Sequence, residues 1–170
     1  EKVEAVLAWD FKAAWYPQFT NLKWIMTPAA GKDWVEPHPL GKVKIVHGTF
    51  HGKLLSESLL SALLFMNHQM PRMLDNFRER AWDRDIQGQS RLLSDQTVMI
   101  IGFGHIGQDC AKALARMGTC VIGVSRSATL GSFGAEVYGL ELLADHLPKA
   151  DHVVLLLPGG EETERFMDET

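Results

Sequence analysis

The sequence predicts an α/β protein in which a doubly wound parallel sheet follows part of a smaller α/β layer. Three observations carry that expectation: short, nearly continuous apolar runs that read as buried strands, helical stripes that alternate with them after residue 96, and a glycine turn joining one such strand to a helix. The 170 residues suffice for one ordinary domain or for parts of two. A hydrophobic fraction of 46% and a charged fraction of 22% are those of a soluble globular chain.

The first strand is expected over residues 3–9, the second over 22–26 and the third over 43–46. Each is followed by turn chemistry: Pro17, then Pro28 and Gly31, then Gly48. Strands this close together leave little room for long helices. Pro37, Pro39 and Gly41 mark residues 34–42 as loop. From Lys53 to Arg80 apolar side chains recur at Leu55, Leu59, Ala62, Leu63, Met66 and Met70, the spacing of a helix with one buried face, which Pro71 should kink or interrupt. The polar segment 77–90 has Trp82 as its one large anchor. Beyond residue 96 the pattern is strand at 97–101, helix at 106–117 stopped by Gly118, strand at 120–124, a short strand at 135–137, a helix at 140–147 ended by Pro148, and a strand at 152–157 closed by Pro158.

Between the strand at 97–101 and its helix stands Gly102-Phe103-Gly104-His105-Ile106-Gly107. A bare G-x-G-x-x-G is weak evidence, but here it follows a strand, opens a helix and leads to a second strand. The chemistry needs that setting. Gly102 permits the tight turn, Gly104 lets a pyrophosphate approach the backbone, and Gly107 lets helix and strand pack closely. The helix start then binds the phosphates through its unpaired N–H groups and positive dipole end. The sheet is therefore expected to be Rossmann-type. His105 is expected as a solvent-facing neighbour of the phosphates and Ile106 as packing under the cofactor.

About 20 residues on, NAD-binding proteins place an acidic side chain on the adenosine ribose. This chain reads Val124-Ser125-Arg126-Ser127 instead. Arg126 can pair with a 2′-phosphate, Ser125 and Ser127 can hydrogen-bond it, and no carboxylate repels it, so the expectation is NADP, with NAD possible. Leu157 and Pro158, at the carboxyl end of a parallel strand, fall where open α/β sheets bind ligands.

With these residues in place, the chain resembles the D-isomer-specific 2-hydroxyacid dehydrogenase family along nearly its whole length, and its Ser125-Arg126-Ser127 is similar to the NADPH-using glyoxylate/hydroxypyruvate reductase branch. Leu22-Lys23-Trp24-Ile25 with Ala29-Ala30-Gly31-Lys32-Asp33 looks like the family's strand and substrate loop. Ser56-Glu57 looks like its helix pair, and Asp151 to Pro158 with Glu162-Thr163 like its closing segment. The resemblance implies a partial flavodoxin-like substrate domain over 1–52 and a dinucleotide-binding domain over 53–170. It also implies reduction of a small 2-oxoacid to its D-2-hydroxyacid, and a homodimer formed partly through residues 53–82. Backbone N–H groups at Ala30 and Gly31 would hold the substrate carboxylate, while Leu157 and Pro158 would lie near the nicotinamide ribose. The family's catalytic arginine, carboxylate and histidine are expected beyond Thr170, and its first strand and helix before Glu1. Neither Arg165 nor any of the seven histidines stands in those motif positions, so no catalytic residue is assigned and the chain alone is expected to bind cofactor without turnover.

Other classes are disfavoured. A net charge of −4, from seventeen basic and twenty-one acidic residues, offers no basic stripe for nucleic acid and no polybasic membrane patch. Cys110 and Cys120 lack metal-ligand spacing and suit a reducing, cytoplasmic setting. No metal site is expected. No signal peptide or membrane span is legible. Gly48 to Lys53 is no phosphate-binding P-loop, because its glycines are too close and Leu54 stands where a Ser or Thr must ligate Mg²⁺. The alternatives that stay open are a non-catalytic dinucleotide sensor or scaffold on the same fold, and another dehydrogenase family acting on phosphorylated substrates.

Overall fold

Every strand pair is parallel in the computed structural model, which describes residues 2–126 and 133–168. The chain forms two compact units, Glu1–His51 with Leu157–Thr170, and Gly52–Leu156. The closing segment thus groups with the first unit, where the sequence had suggested continuity with residues 53–156.

In the first unit β1 (Ala5–Leu7), β2 (Trp24–Thr27) and β3 (Lys44–His47) lie in the order β1-β2-β3. Val6 stands opposite Ile25, which stands opposite Ile45. One face of this sheet is covered by Phe11, Tyr16, Leu22 and Val35 around the fully buried Ile25. A 3₁₀ helix at Ala13–Gln18 supplies Tyr16, whose hydroxyl donates to Glu36 O at 2.7 Å. Burial, aided by Glu36, pushes that phenol above its ordinary pKa. Pleat alternation sends Trp24 and Met26 to the opposite face, where both are exposed.

The second unit opens with α1 (His51–Asn67) and α2 (Met70–Glu79). The interruption expected at Pro71 falls earlier, at Gln69, which takes a left-handed conformation with φ of 55°. Pro71 sits in the first turn of α2, where its missing N–H would have had no helical partner in any case. Trp82 is no anchor: it is 87% exposed. Its segment is held instead by the Arg72–Asp83 ion pair and by the buried Ile86.

Four strands follow, β4 (Thr97–Ile101), β5 (Cys120–Ser125), β6 (Glu136–Gly139) and β7 (His152–Leu155), in the order β6-β5-β4-β7. The apolar run of β4 is central because it can be buried on both faces, and Val98, Met99 and Ile100 are wholly inaccessible. The helix α3 (His105–Arg116) covers it with Cys110, Ala111 and Leu114, and Gly118, at φ of 79°, turns the chain into β5. The strand β6 begins one residue later than expected and runs to Gly139, while β7 stops short of Leu157. Residues 140–149 do not form one helix. They form a 3₁₀ turn, the single turn α4 (Leu143–His146) and a second 3₁₀ turn containing Pro148. Cover is incomplete at β7, where Val153 and Leu155 are 39% and 48% exposed. At the amino ends of the strands, His152 Nε2 lies 3.2 Å from Asn67 Oδ1 and 3.0 Å from Gln96 Oε1, and Asn67 Nδ2 donates to Gln96.

From β4 the chain steps to β5 and β6 on one side and returns to β7 on the other. The reversal of strand order leaves a crevice at the carboxyl end of β4, the position where doubly wound sheets bind ligands.

Candidate functional site

The glycine turn occupies that crevice. Gly102 has a φ of 99°, a conformation that side-chain-bearing residues rarely adopt. Its N–H and that of Phe103 both donate to Val124 O, at 2.9 and 3.1 Å, tying the turn to the end of β5. Phe103 is 3% exposed, and its ring lies where a side chain on Gly123 would be, 2.5 Å from the nearest Cβ position. The Phe103 ring is thus packed in the core and its N–H bonded to Val124, so that its carbonyl is the group it can still offer to a ligand.

The first helical hydrogen bond of α3 runs from Gln108 N–H to Gly104 O at 2.9 Å. The N–H groups of Gly104, His105, Ile106 and Gly107 have no hydrogen-bond partner among the described residues. No protein atom lies within 4 Å of where a Gly104 side chain would begin. At Gly107 the reverse holds: a Cβ would stand 2.6 Å from Gly102 O and 3.3 Å from Ile100 Cγ2. Open space at one glycine, contact at the other and four unpaired donors at a helix start fit a diphosphate anion.

His105 is exposed, with Nε2 3.9 Å from Asp109 Oδ2 one turn along α3. Ile106 is partly buried against the core beneath the turn. The Asp109 carboxylate occupies the space a side chain on Gly52 would need, at the start of α1. Sequence reasoning missed this contact, because only Gly52, three-dimensionally opposite, reveals it. Ser125 ends β5 half-buried and Arg126 follows it, exposed. Ser127 lies outside the described residues. Because Val124 holds the turn, Ser125 and Arg126 leave the sheet directly beside it, and no carboxylate stands among the three. Cys110, one turn into α3, is no nucleophile candidate: burial pushes its thiol up, against the Ser56 hydroxyl that donates to it at 3.7 Å.

In the first unit, the buried Thr27 hydroxyl donates to Trp9 O at 3.0 Å and accepts from Ala29 N–H at 3.1 Å. Gly48 N–H donates to Thr27 O at 2.8 Å, joining the end of β3 to the same loop. Ala30 is exposed and Gly31 half-buried, and neither N–H has a partner among the described residues. The Asp33 carboxylate packs on Gly31, and Asp33 Oδ2 is 3.3 Å from where a Gly159 Cβ would be. Leu157 is half-buried and Pro158 exposed, with Pro158 O accepting from the Thr163 hydroxyl at 2.6 Å. His47 and His51, at and just after the end of β3, each bury an Nδ1 that has no partner.

A parallel sheet with a glycine turn at its switch point and free donors at the following helix defines a nicotinamide-dinucleotide-binding α/β domain. The family model for the NAD binding domain of D-isomer specific 2-hydroxyacid dehydrogenases matches residues 60–170, and the chain belongs to that family. D-3-phosphoglycerate dehydrogenase of Mycobacterium bovis is 31% identical over 115 residues, covering 66% of this chain and 21% of that protein. A D-isomer specific 2-hydroxyacid dehydrogenase from Xanthobacter autotrophicus Py2, solved in complex with NADPH and MES, is 25% identical with a TM-score of 0.78, covering 96% of this chain and 52% of that one. The NADPH-dependent glyoxylate/hydroxypyruvate reductase of Sinorhizobium meliloti, solved with NADP and sulfate, is 27% identical with a TM-score of 0.78, covering 95% and 51%. The chain thus spans about half the length of these solved relatives and about a fifth of the curated one. Among the described residues no helix is long and apolar enough to cross a membrane.

Proposed function

We propose that the protein belongs to an NADPH-dependent reductase of small 2-oxoacids, of the glyoxylate or hydroxypyruvate type, that forms the D-2-hydroxyacid. One observation carries the cofactor preference: Arg126 stands two residues beyond Val124, whose carbonyl anchors the glycine turn, and the sequence places no carboxylate at 125–127. When bound, the reduced dinucleotide supplies the hydride. The chain's own residues hold it. The N–H groups of Gly104, His105, Ile106 and Gly107 grip the diphosphate, and Gly102 shapes the turn. Arg126 pairs with the 2′-phosphate, with Ser125 and Ser127 as hydrogen-bonding neighbours, while Leu157 and Pro158 flank the nicotinamide ribose. Ala30 and Gly31 offer their free N–H groups to the substrate carboxylate. No acid, base or cationic catalytic residue is assigned within residues 1–170.

A homodimer through residues 53–82 is supported by the apolar side chains left open there, Leu54, Met66, Phe77 and Trp82 among them. A reducing, cytoplasmic setting is supported by Cys110 and Cys120, which are both free.

Fluorescence titration with NADPH and NADH tests the cofactor assignment. A charge-assisted bond of about 1.5–3 kcal/mol predicts that Arg126→Ala weakens NADPH roughly ten- to hundredfold and leaves NADH nearly unchanged. Equal or tighter NADH binding by the unaltered protein refutes the preference.

A further inference from the structure

The amino end of the second sheet holds a cavity of about 510 Å³, on the far side of β4 from the glycine turn. The strand between them, Thr97–Ile101, has five residues, about 17 Å at the rise of a β-strand. The wall is polar, with Met66 the one apolar side chain among the described residues that line it. All of these residues belong to the unit Gly52–Leu156. A cavity of this size and polarity suits a small hydrophilic molecule.

Its floor is fixed by buried amides. Asn67 and Gln96 are each 5% exposed, and Asn67 Nδ2 donates to Gln96 Oε1. His152 Nε2 faces oxygen on both sides, Asn67 Oδ1 and Gln96 Oε1, and is therefore a donor. These bonds occupy the oxygen of Gln96 and leave its nitrogen. Gln96 Nε2 has no acceptor among the described residues, yet it is not sealed from solvent, so it opens onto the cavity that Gln96 lines. Free N–H donors on so deeply buried a side chain are what a bound acceptor would satisfy.

Two opposite charges line the same cavity without meeting. Arg91 is placed by its backbone N–H, which donates to Asn67 O at 3.0 Å, and its guanidinium has no partner among the described residues. Asp151 Oδ2 accepts from Thr97 N–H at 2.9 Å, while Oδ1 has no partner among the described residues. A ligand carrying both charges answers both residues. Its carboxylate fits the guanidinium fork and the Gln96 amide, and its ammonium fits Asp151. A ligand with one charge leaves the other residue unmatched. Gln69 also lines the cavity; its Nε2 donates to Gln89 O at 3.5 Å and its Oε1 is open.

We propose that this cavity binds a free α-amino acid with a neutral polar side chain, at a site distinct from that of the dinucleotide. Arg91 and Gln96 hold the carboxylate, Asp151 holds the ammonium, and the Gln69 amide receives the side chain.

NMR titration of the protein with L-glutamine, following the Gln96 side-chain amide, tests the site. Three analogues each lack one recognised group: L-glutaminamide the carboxylate, 4-carbamoylbutyrate the ammonium, and L-norleucine the side-chain amide. Saturable shifts around the cavity are expected with glutamine, and each analogue should bind at least about tenfold more weakly. Gln96→Glu keeps an acceptor for Asn67 and His152 but replaces the free N–H donors with negative charge. Asp151→Asn keeps an acceptor for Thr97 and loses the charge. Both should weaken glutamine at least about tenfold and leave NADPH affinity unchanged. Arg91→Met, which removes a side chain that bonds nothing in the free protein, serves if either variant melts early. If glutamine leaves the Gln96 amide unmoved, or binds the variants as tightly as the unaltered protein, the site is refuted. If an analogue binds as tightly as glutamine, the assigned ligand class is refuted.

Discussion

Gly104 and Gly107 sit three residues apart in one turn yet answer to opposite constraints. Gly104 has ordinary backbone angles, with φ of −81°, and empty space where a side chain would begin. Gly104→Ala is therefore expected to leave thermal stability within about 0.5 kcal/mol while placing a methyl where the diphosphate approaches. NADPH affinity should fall by at least about tenfold, a loss of about 1.4 kcal/mol. Gly107→Ala pushes a methyl into Gly102 O and Ile100, and should cost about 1–3 kcal/mol in a denaturant melt. These roles were legible because motif spacing encodes backbone requirements. The fate of Phe103 was not, since its burial depends on Gly123, twenty residues away and invisible to the motif.

Strands survived the passage from sequence to structure better than helices did. A buried parallel strand is a continuous apolar run, and β4 and β5 fall within a residue of where that run predicts them. Helix ends depend on competition between local turns. At residues 68–70 a left-handed Gln69 ends α1 before Pro71 is reached, and at 140–149 the chain alternates between 3₁₀ and α turns. Polar joints between elements are equally silent in the sequence. Asn67 and Gln96 are each 5% exposed and, with His152, tie α1 to the starts of β4 and β7. Gln96→Ala removes the acceptor shared by the other two. It should destabilise the protein by about 1–3 kcal/mol, read from a urea midpoint with unchanged slope.

At the scale of the whole molecule, fold class and family were legible because several motifs recur in the right order along one chain. Quaternary structure was not, since an apolar residue on a helix reads the same whether it faces a core or a partner. Phe77 and Trp82, 82% and 87% exposed, separate those cases. The proposed homodimer predicts that Phe77→Glu lowers the mass seen by light scattering to that of one chain, whereas a monomeric unaltered protein would refute the dimer.

The first unit is discontinuous, built from Glu1–His51 and Leu157–Thr170, whereas Gly52–Leu156 is one uninterrupted stretch. On the ribosome, where domains form as units in the order they emerge, the later-starting unit has all its residues before the earlier one receives its closing segment. The strands β1–β3 therefore wait, incomplete, through the translation of about a hundred residues. Newly made chains should accordingly be most vulnerable to proteases and to chaperone capture within residues 1–51.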